Sequence, residues 1–181
     1  YMGDLGSPDL ALALDRFGKL AQDGCVPCGI APGHRDGWGL SGFSSSAAIV
    51  YRSTDPAESD ALLNASAAFR KGRGQLLAHL RKASVGANSL ANTHPFAQGG
   101  VLFCHNGSIR SYEGTNVSQL PASSTDSEQF FMRILQRLEV PPSVASLEEL
   151  RAALEAESEQ TKLSSSWTSL ICCIQTQEGL I

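Results

Sequence analysis

The stretch from Leu90 to Arg110, LANTHPFAQGGVLFCHNGSIR, sets two histidines and two asparagines around a short apolar run. VLFC, residues 101–104, follows a Gly-Gly pair and ends in polar residues, the pattern of a buried strand with chemistry at its end. Buried His and Asn side chains cost free energy unless each finds a hydrogen-bond partner. Their concentration beside one strand points to a site.

Outward from this stretch, element types alternate without repeats or a long linker. QLLAHLRKAS, residues 75–84, is a second short apolar run that ends in polar residues and reads as another buried strand. GLSGFSSSAAIVYR, residues 39–52, reads as strand, turn and strand. Ser7-Pro8 can start a helix whose Leu10, Leu14, Phe17 and Ala21 share a face, and a further helix is expected from Pro56 to Arg70. Thr125 with Glu128 forms a capping box ahead of QFFMRILQRL, whose Phe131, Ile134, Leu135 and Leu138 share a face, and Ser146 with Glu149 repeats the device. The last segment, residues 165–181, reads as a strand and a turn into another strand, so the chain is expected to stop within a sheet.

The chain of 181 residues is long enough for one sizeable core, and one domain over 1–181 is expected. Its formal charge of -4 and pI near 5.5 give no basic footprint for nucleic acid, and the fourteen Lys and Arg are dispersed. No apolar run approaches a membrane span of about 18 residues, and YMGDLGSPDL lacks a signal peptide's basic and apolar regions. Five cysteines, two of them adjacent at Cys172-Cys173, suit reduced thiols better than a disulfide framework. A cytoplasmic protein, with no membrane or nucleic-acid partner, is the expectation.

Three sets of residues could carry chemistry. Cys25 and Cys28 have the spacing of half a zinc site, yet no second pair of ligands follows at a matching distance, so a plain loop is favoured over a metal. His34, in HRDGWG, could be a general base or could hold a glycine-rich turn with Asp36. In the third set, Arg81 at a strand end could grip a carboxylate in two parallel bonds, against a plain surface ion pair. Asn106 and Gly107 could aim an amide and an unhindered backbone N–H at one oxygen, against a simple Asn-Gly turn. Asp126, just inside a capped helix, could accept an ammonium, against a favourable charge on the helix dipole. A carboxylate grip, an ammonium acceptor and an oxyanion pair together outline glutamine.

HRDGWG, AHLRKASVG, NTHPF, CHNGSI and STDSEQF stand in an order and spacing, from about Gly33 to Phe131, that resemble the class II glutamine amidotransferase domain of the N-terminal nucleophile hydrolase superfamily, most closely its stand-alone bacterial and archaeal branch. The resemblance implies an α+β fold, a four-layer αββα sandwich of two antiparallel sheets between helical layers. It implies that Arg81 binds glutamine's α-carboxylate, Asp126 its α-amino group, and that Asn106 and Gly107 form the oxyanion hole. Asn92, Thr93 and His94 would shape the pocket wall, and His34, Asp36, Gly37 and Trp38 the turn beneath it.

The implied reaction is glutaminase-type hydrolysis through a cysteinyl thioester, with no metal or organic cofactor. Its nucleophile is an N-terminal cysteine that uses its own α-amine as base. Residue 1 is Tyr and the first cysteine is Cys25, so the expectation is of a chain lacking a few initial residues and some terminal strands. A γ-glutamyl amide or peptide hydrolase of the same fold is the alternative enzyme, and a non-catalytic glutamine-binding relative the alternative class. A synthase that accepts ammonia is the implied partner, and homo-oligomerisation stays open.

Overall fold

The computed structural model describes residues 2–4, 10–26, 28–44, 47–61, 63, 75–112, 115–116, 121, 123–163, 169–176 and 179–180. The chain is α+β, with antiparallel sheets and helices, and it divides into two compact units: Tyr1–Ala83 with Asn88–Pro95, and Ser84–Ala87 with Phe96–Ile181.

The first unit holds β1 (Met2–Asp4), α1 (Leu10–Asp23), β2 (Trp38–Ser44), β3 (Ala47–Ser53) and β4 (Gln75–Leu80). The strands lie in the order β1-β4-β2-β3, all antiparallel. Side chains alternate across a strand, so the even and odd positions of β2 and β4 define two faces. Trp38, Leu40, Leu76 and Ala78 pack with Leu14, Phe17 and Ala21 of α1 in one buried cluster, as the helical spacing of those three residues anticipates. The odd face carries Gly39, Ser41, Leu77 and His79. Leu76, Leu77 and Ala78 are buried in succession, so β4 is covered on both faces.

Two helix expectations meet their limits here. Ser7-Pro8 lie outside the described residues. Pro56–Asp60 hold a turn at Ala57–Ser59 rather than the start of a helix, and within the rest of the expected span only Ala61 and Leu63 are described, both helical. The Ser59 hydroxyl and backbone N–H both donate to the Pro56 carbonyl, at 3.2 and 3.1 Å, a local closure that competes with helix initiation. The remainder of the expected helix, 64–70, also lies outside the described residues.

The second unit holds β5 (Phe96–Gln98), β6 (Val101–Asn106), β7 (Ile109–Tyr112), β8 (Thr115–Asn116), α2 (Asp126–Gln136), a 3-10 turn (Pro142–Val144), α3 (Leu147–Glu159), β9 (Thr161–Leu163), β10 (Ser169–Thr176) and β11 (Gly179–Leu180). One sheet runs β11-β10-β6-β5, another β8-β7-β9 with a bulge between Ile109 and Ser111. Gly99 and Gly100, both at positive φ, close the two-residue turn from Gln98 to Val101, the geometry that favours glycine in tight hairpins. Val101 and Phe103 of β6 pack with Phe130, Phe131, Ile134 and Leu135 of α2, and the Phe103 and Phe131 rings stack with centroids 5.1 Å apart. Burying each of these large side chains stabilises the unit by roughly 1.5–3 kcal/mol.

Ser146 and Glu149 form the reciprocal capping box at α3. At α2 only half of the expected box forms. Thr125 Oγ1 accepts the Glu128 N–H at 3.1 Å, but the Glu128 carboxylate turns to Ser124 Oγ at 3.0 Å. Ser124 Oγ accepts from Gln129 Nε2 at 2.8 Å, so its own hydrogen needs an acceptor, and Glu128 supplies it. Glu157 of α3 is fully buried and takes Nε of both Arg133 and Arg137, at 2.5 and 2.7 Å, which ties α3 to α2.

Candidate active site

In the first unit the polar residues gather around the end of β4. Arg81 follows the strand directly and is 4% exposed. Its N–H donates to the Gly37 carbonyl at 2.8 Å and its carbonyl accepts the Asp36 N–H at 3.1 Å, so the HRDG turn and the strand end hold each other. Asp36 Oδ2 accepts the Ala83 N–H at 2.8 Å. Arg81 Nη1 donates to Asn88 Oδ1 at 3.1 Å. Burial lowers the guanidinium pKa, and Asp36 partly offsets that. Arg81 therefore sits where a charged fork has lost much of its hydration, a setting in which a carboxylate ligand gains most.

The remaining candidates of this unit divide by role. Trp38 belongs to the apolar cluster under α1, and its indole Nε1 donates to Asp60 Oδ2 at 3.0 Å. His34 is half-buried, its N–H bound to the Ala21 carbonyl at 2.7 Å. Asn92, Thr93 and His94 are all buried in a loop closed by Thr93 Oγ1 on the Ser89 carbonyl at 2.9 Å. A Cβ on Gly39 would run into the His94 carbonyl, so only glycine lets this loop lie against β2. The His94–Pro95 bond is cis, Arg52 Nε of β3 binds the Pro95 carbonyl at 2.9 Å, and the rings of His94 and His79 lie 4.2 Å apart.

In the second unit Asn106 ends β6, exposed, and Gly107 follows at φ 144, in the region that favours glycine. Asp126, the first residue of α2 and 4% exposed, reaches back to the same turn: its Oδ2 accepts the Ile109 N–H at 2.8 Å. Its Oδ1 accepts the Ser127 N–H at 2.9 Å. One carboxylate thus ties the start of β7, two residues after Gly107, to the start of α2, and the helix dipole favours its charge.

His105 and Ser127 were not among the residues singled out by sequence. His105 Nδ1 lies 2.8 Å from Ser127 Oγ, and that hydroxyl lies 3.4 Å from Asp126 Oδ1. Strand alternation turns His105 toward α2, with Val101 and Phe103, and Asn106 the other way. Alternation within CHNG was the signal that separates these neighbours. Cys25 and Cys28 are exposed and Cys104 is buried, and none of the three is in a disulfide. Among the described residues no group of three or more His, Cys, Asp or Glu could hold a metal, and no helix is long and apolar enough to cross a membrane.

The family model "Glutamine amidotransferases class-II" matches residues 20–171, a stretch that contains all of these positions. The chain belongs to the class II glutamine amidotransferase family. An uncharacterised protein of Methanocaldococcus jannaschii is 33% identical over 138 residues, 72% of this chain and 36% of that protein. The Escherichia coli protein named "Putative glutamine amidotransferase YafJ" is 26% identical over 110 residues, 58% of this chain and 43% of its own. This chain therefore spans less than half the length of these curated relatives. A crystal structure titled as a "predicted glutamine amidotransferase" from Pseudomonas aeruginosa aligns with a TM-score of 0.48 at 23% identity, over 79% of this chain and 59% of that one.

Proposed function

We propose that the domain binds glutamine and hydrolyses its side-chain amide to glutamate and ammonia, through a thioester on a cysteine that opens the mature protein. The observation that carries this reading is the turn after β6, where the Asp126 carboxylate accepts the Ile109 N–H two residues beyond Gly107. In this reading Arg81 grips the α-carboxylate and Asp126 accepts the α-ammonium. The thiolate attacks the amide carbon, the oxyanion forms against Asn106 and Gly107, ammonia leaves with a proton, and water cleaves the thioester. The cysteine's own α-amine serves as base, and no cofactor takes part.

A further feature supports the assignment. β1 runs antiparallel to β4 with Met2 opposite Leu77 and Gly3 opposite Leu76, so of the two ends of β1 the Met2 end lies nearer Arg81 along β4. His34, Asp36 and Trp38 act beneath the pocket, and Asn92, Thr93 and His94 form its wall. The ammonia acceptor would be a partner synthase.

A glutamine-like diazoketone tests this on the full-length protein: one label, at an N-terminal cysteine, with glutamate formed from glutamine. Label at the exposed Cys25, or full activity in a chain that begins at Tyr1, overturns the mechanism. Faster turnover of γ-glutamyl peptides than of glutamine would move the substrate to the larger compound. Glutamine binding without label or turnover would make the domain a sensor.

A further inference from the structure

His105 is 2% exposed, and its Nε2 is buried with no hydrogen-bond partner among the described residues. The imidazole is therefore fixed through Nδ1 alone, by Ser127 Oγ at 2.8 Å. Burial lowers the pKa of His105 from its ordinary 6.5, with Asp126 partly offsetting the effect, so the ring is neutral at neutral pH and carries one N–H.

A hydroxyl has a single hydrogen, so the tautomer decides where Ser127 donates. With the proton on Nε2, Ser127 must donate to His105 and has nothing left for Asp126. With the proton on Nδ1, His105 donates to Ser127 Oγ, and the hydroxyl hydrogen is released toward Asp126 Oδ1, 3.4 Å away. The carboxylate attracts that hydrogen, which selects the second arrangement. An ionised carboxylate offers about four lone-pair sites. The Ser127 N–H and O–H occupy Oδ1, the Ile109 N–H occupies one site on Oδ2, and among the described residues one acceptor direction remains for a ligand.

We infer that His105 and Ser127 are positioning residues: the donor chain from His105 Nδ1–H through Ser127 O–H to Asp126 Oδ1 orients the carboxylate so that its last acceptor site meets one ammonium hydrogen of the substrate. This rests on the proposed role of Asp126 toward the glutamine α-ammonium. A residue that merely supports the fold would affect all ligands alike. The donor chain affects only those with an ammonium.

Calorimetry on the full-length protein with L-glutamine and with glutaramate, the same molecule without its amino group, separates the two. Ser127→Ala is expected to weaken glutamine binding about tenfold and to leave glutaramate binding unchanged. His105→Leu should act as Ser127→Ala does, whereas His105→Asn, whose amide nitrogen can stand in for Nδ1, should stay near wild type. If Ser127→Ala does not fold, the two His105 variants carry the same comparison. Equal losses for both ligands, or none for either, overturn the inference while glutamine binding by the wild type stands. A wild type that binds no glutamine overturns the functional reading, and the inference with it.

Discussion

The two units secure their polar residues by opposite means. In the first, the loop carrying Asn92, Thr93 and His94 lies against β2 because Gly39 has no side chain, and its carbonyls are bound by Thr93 and Arg52. The Arg81 backbone is locked to the HRDG turn by two main-chain bonds. In the second, the Asn106–Gly107 turn is held by the carboxylate of Asp126, which is itself a site residue in the proposed reaction. Where backbone does the holding, a functional side chain can be altered with the fold kept. Where a side chain does it, fold and function share a residue. Glu157 marks the far end of that scale, a buried carboxylate held by two arginines that joins α3 to α2.

The largest expected effect breaks that architectural latch. Glu157→Ala leaves Arg133 and Arg137 without their buried acceptor and should cost about 3 kcal/mol of unfolding free energy, the low end for a broken buried pair because both arginines reach solvent. Denaturant titration reads the loss, and glutamine affinity of the folded fraction should not change. A shift in affinity would draw α3 into the site.

Arg81→Ala should do the reverse. Glutamine affinity falls by roughly 1.5–3 kcal/mol with the loss of a charge-assisted double bond, while the denaturation midpoint moves little, because the turn at Arg81 is held by its backbone. Calorimetry beside a thermal melt decides it. Unchanged affinity in a folded variant would remove Arg81 from the site.

The smallest effect is set by pH. The buried, neutral His105 has a lowered pKa, so the unfolded chain takes up a proton near 6.5 while the folded one resists. Unfolding free energy then rises with pH across the interval below 6.5 and is independent of this group above it. Thermal melts of wild type and His105→Asn over that interval should diverge toward acid, the wild type losing more. Parallel curves would mean that His105 keeps its ordinary titration in the fold.

The sequence made the ends of strands legible because a short apolar run stops where its polar residues begin. β4 ending before Arg81 and β6 ending at Asn106 follow from that pattern alone, and the helical spacing of Leu14, Phe17 and Ala21 anticipates the α1 core. Direction was harder to read. Polar residues on both sides of VLFC suggested one shared pocket, yet period-two alternation sends His105 to α2 and Asn106 to the other face. Local competition was harder still. Ser124 captures the Glu128 side chain that a capping box assigns to Thr125, and Ser59 closes a turn at Pro56 where composition suggested a helix. The pairing of β7 with β9 joins segments about fifty residues apart, a contact that no local pattern encodes.

Gly39 touches no ligand in the proposed reaction, yet the contact it permits has a consequence for any directed-evolution experiment on this domain. In a library screened only for catalysis or glutamine capture, every substitution at Gly39 would displace the His94 segment and score as a null, as if position 39 bound substrate. Expression level or protease resistance, recorded for the same clones, would sort it from Arg81, whose null variants should stay intact. Designs that retune the proposed pocket wall for a bulkier substrate would best vary Asn92 and Thr93 and leave position 39 fixed. That one hydrogen in place of a side chain sets how close the His94 segment can lie to β2.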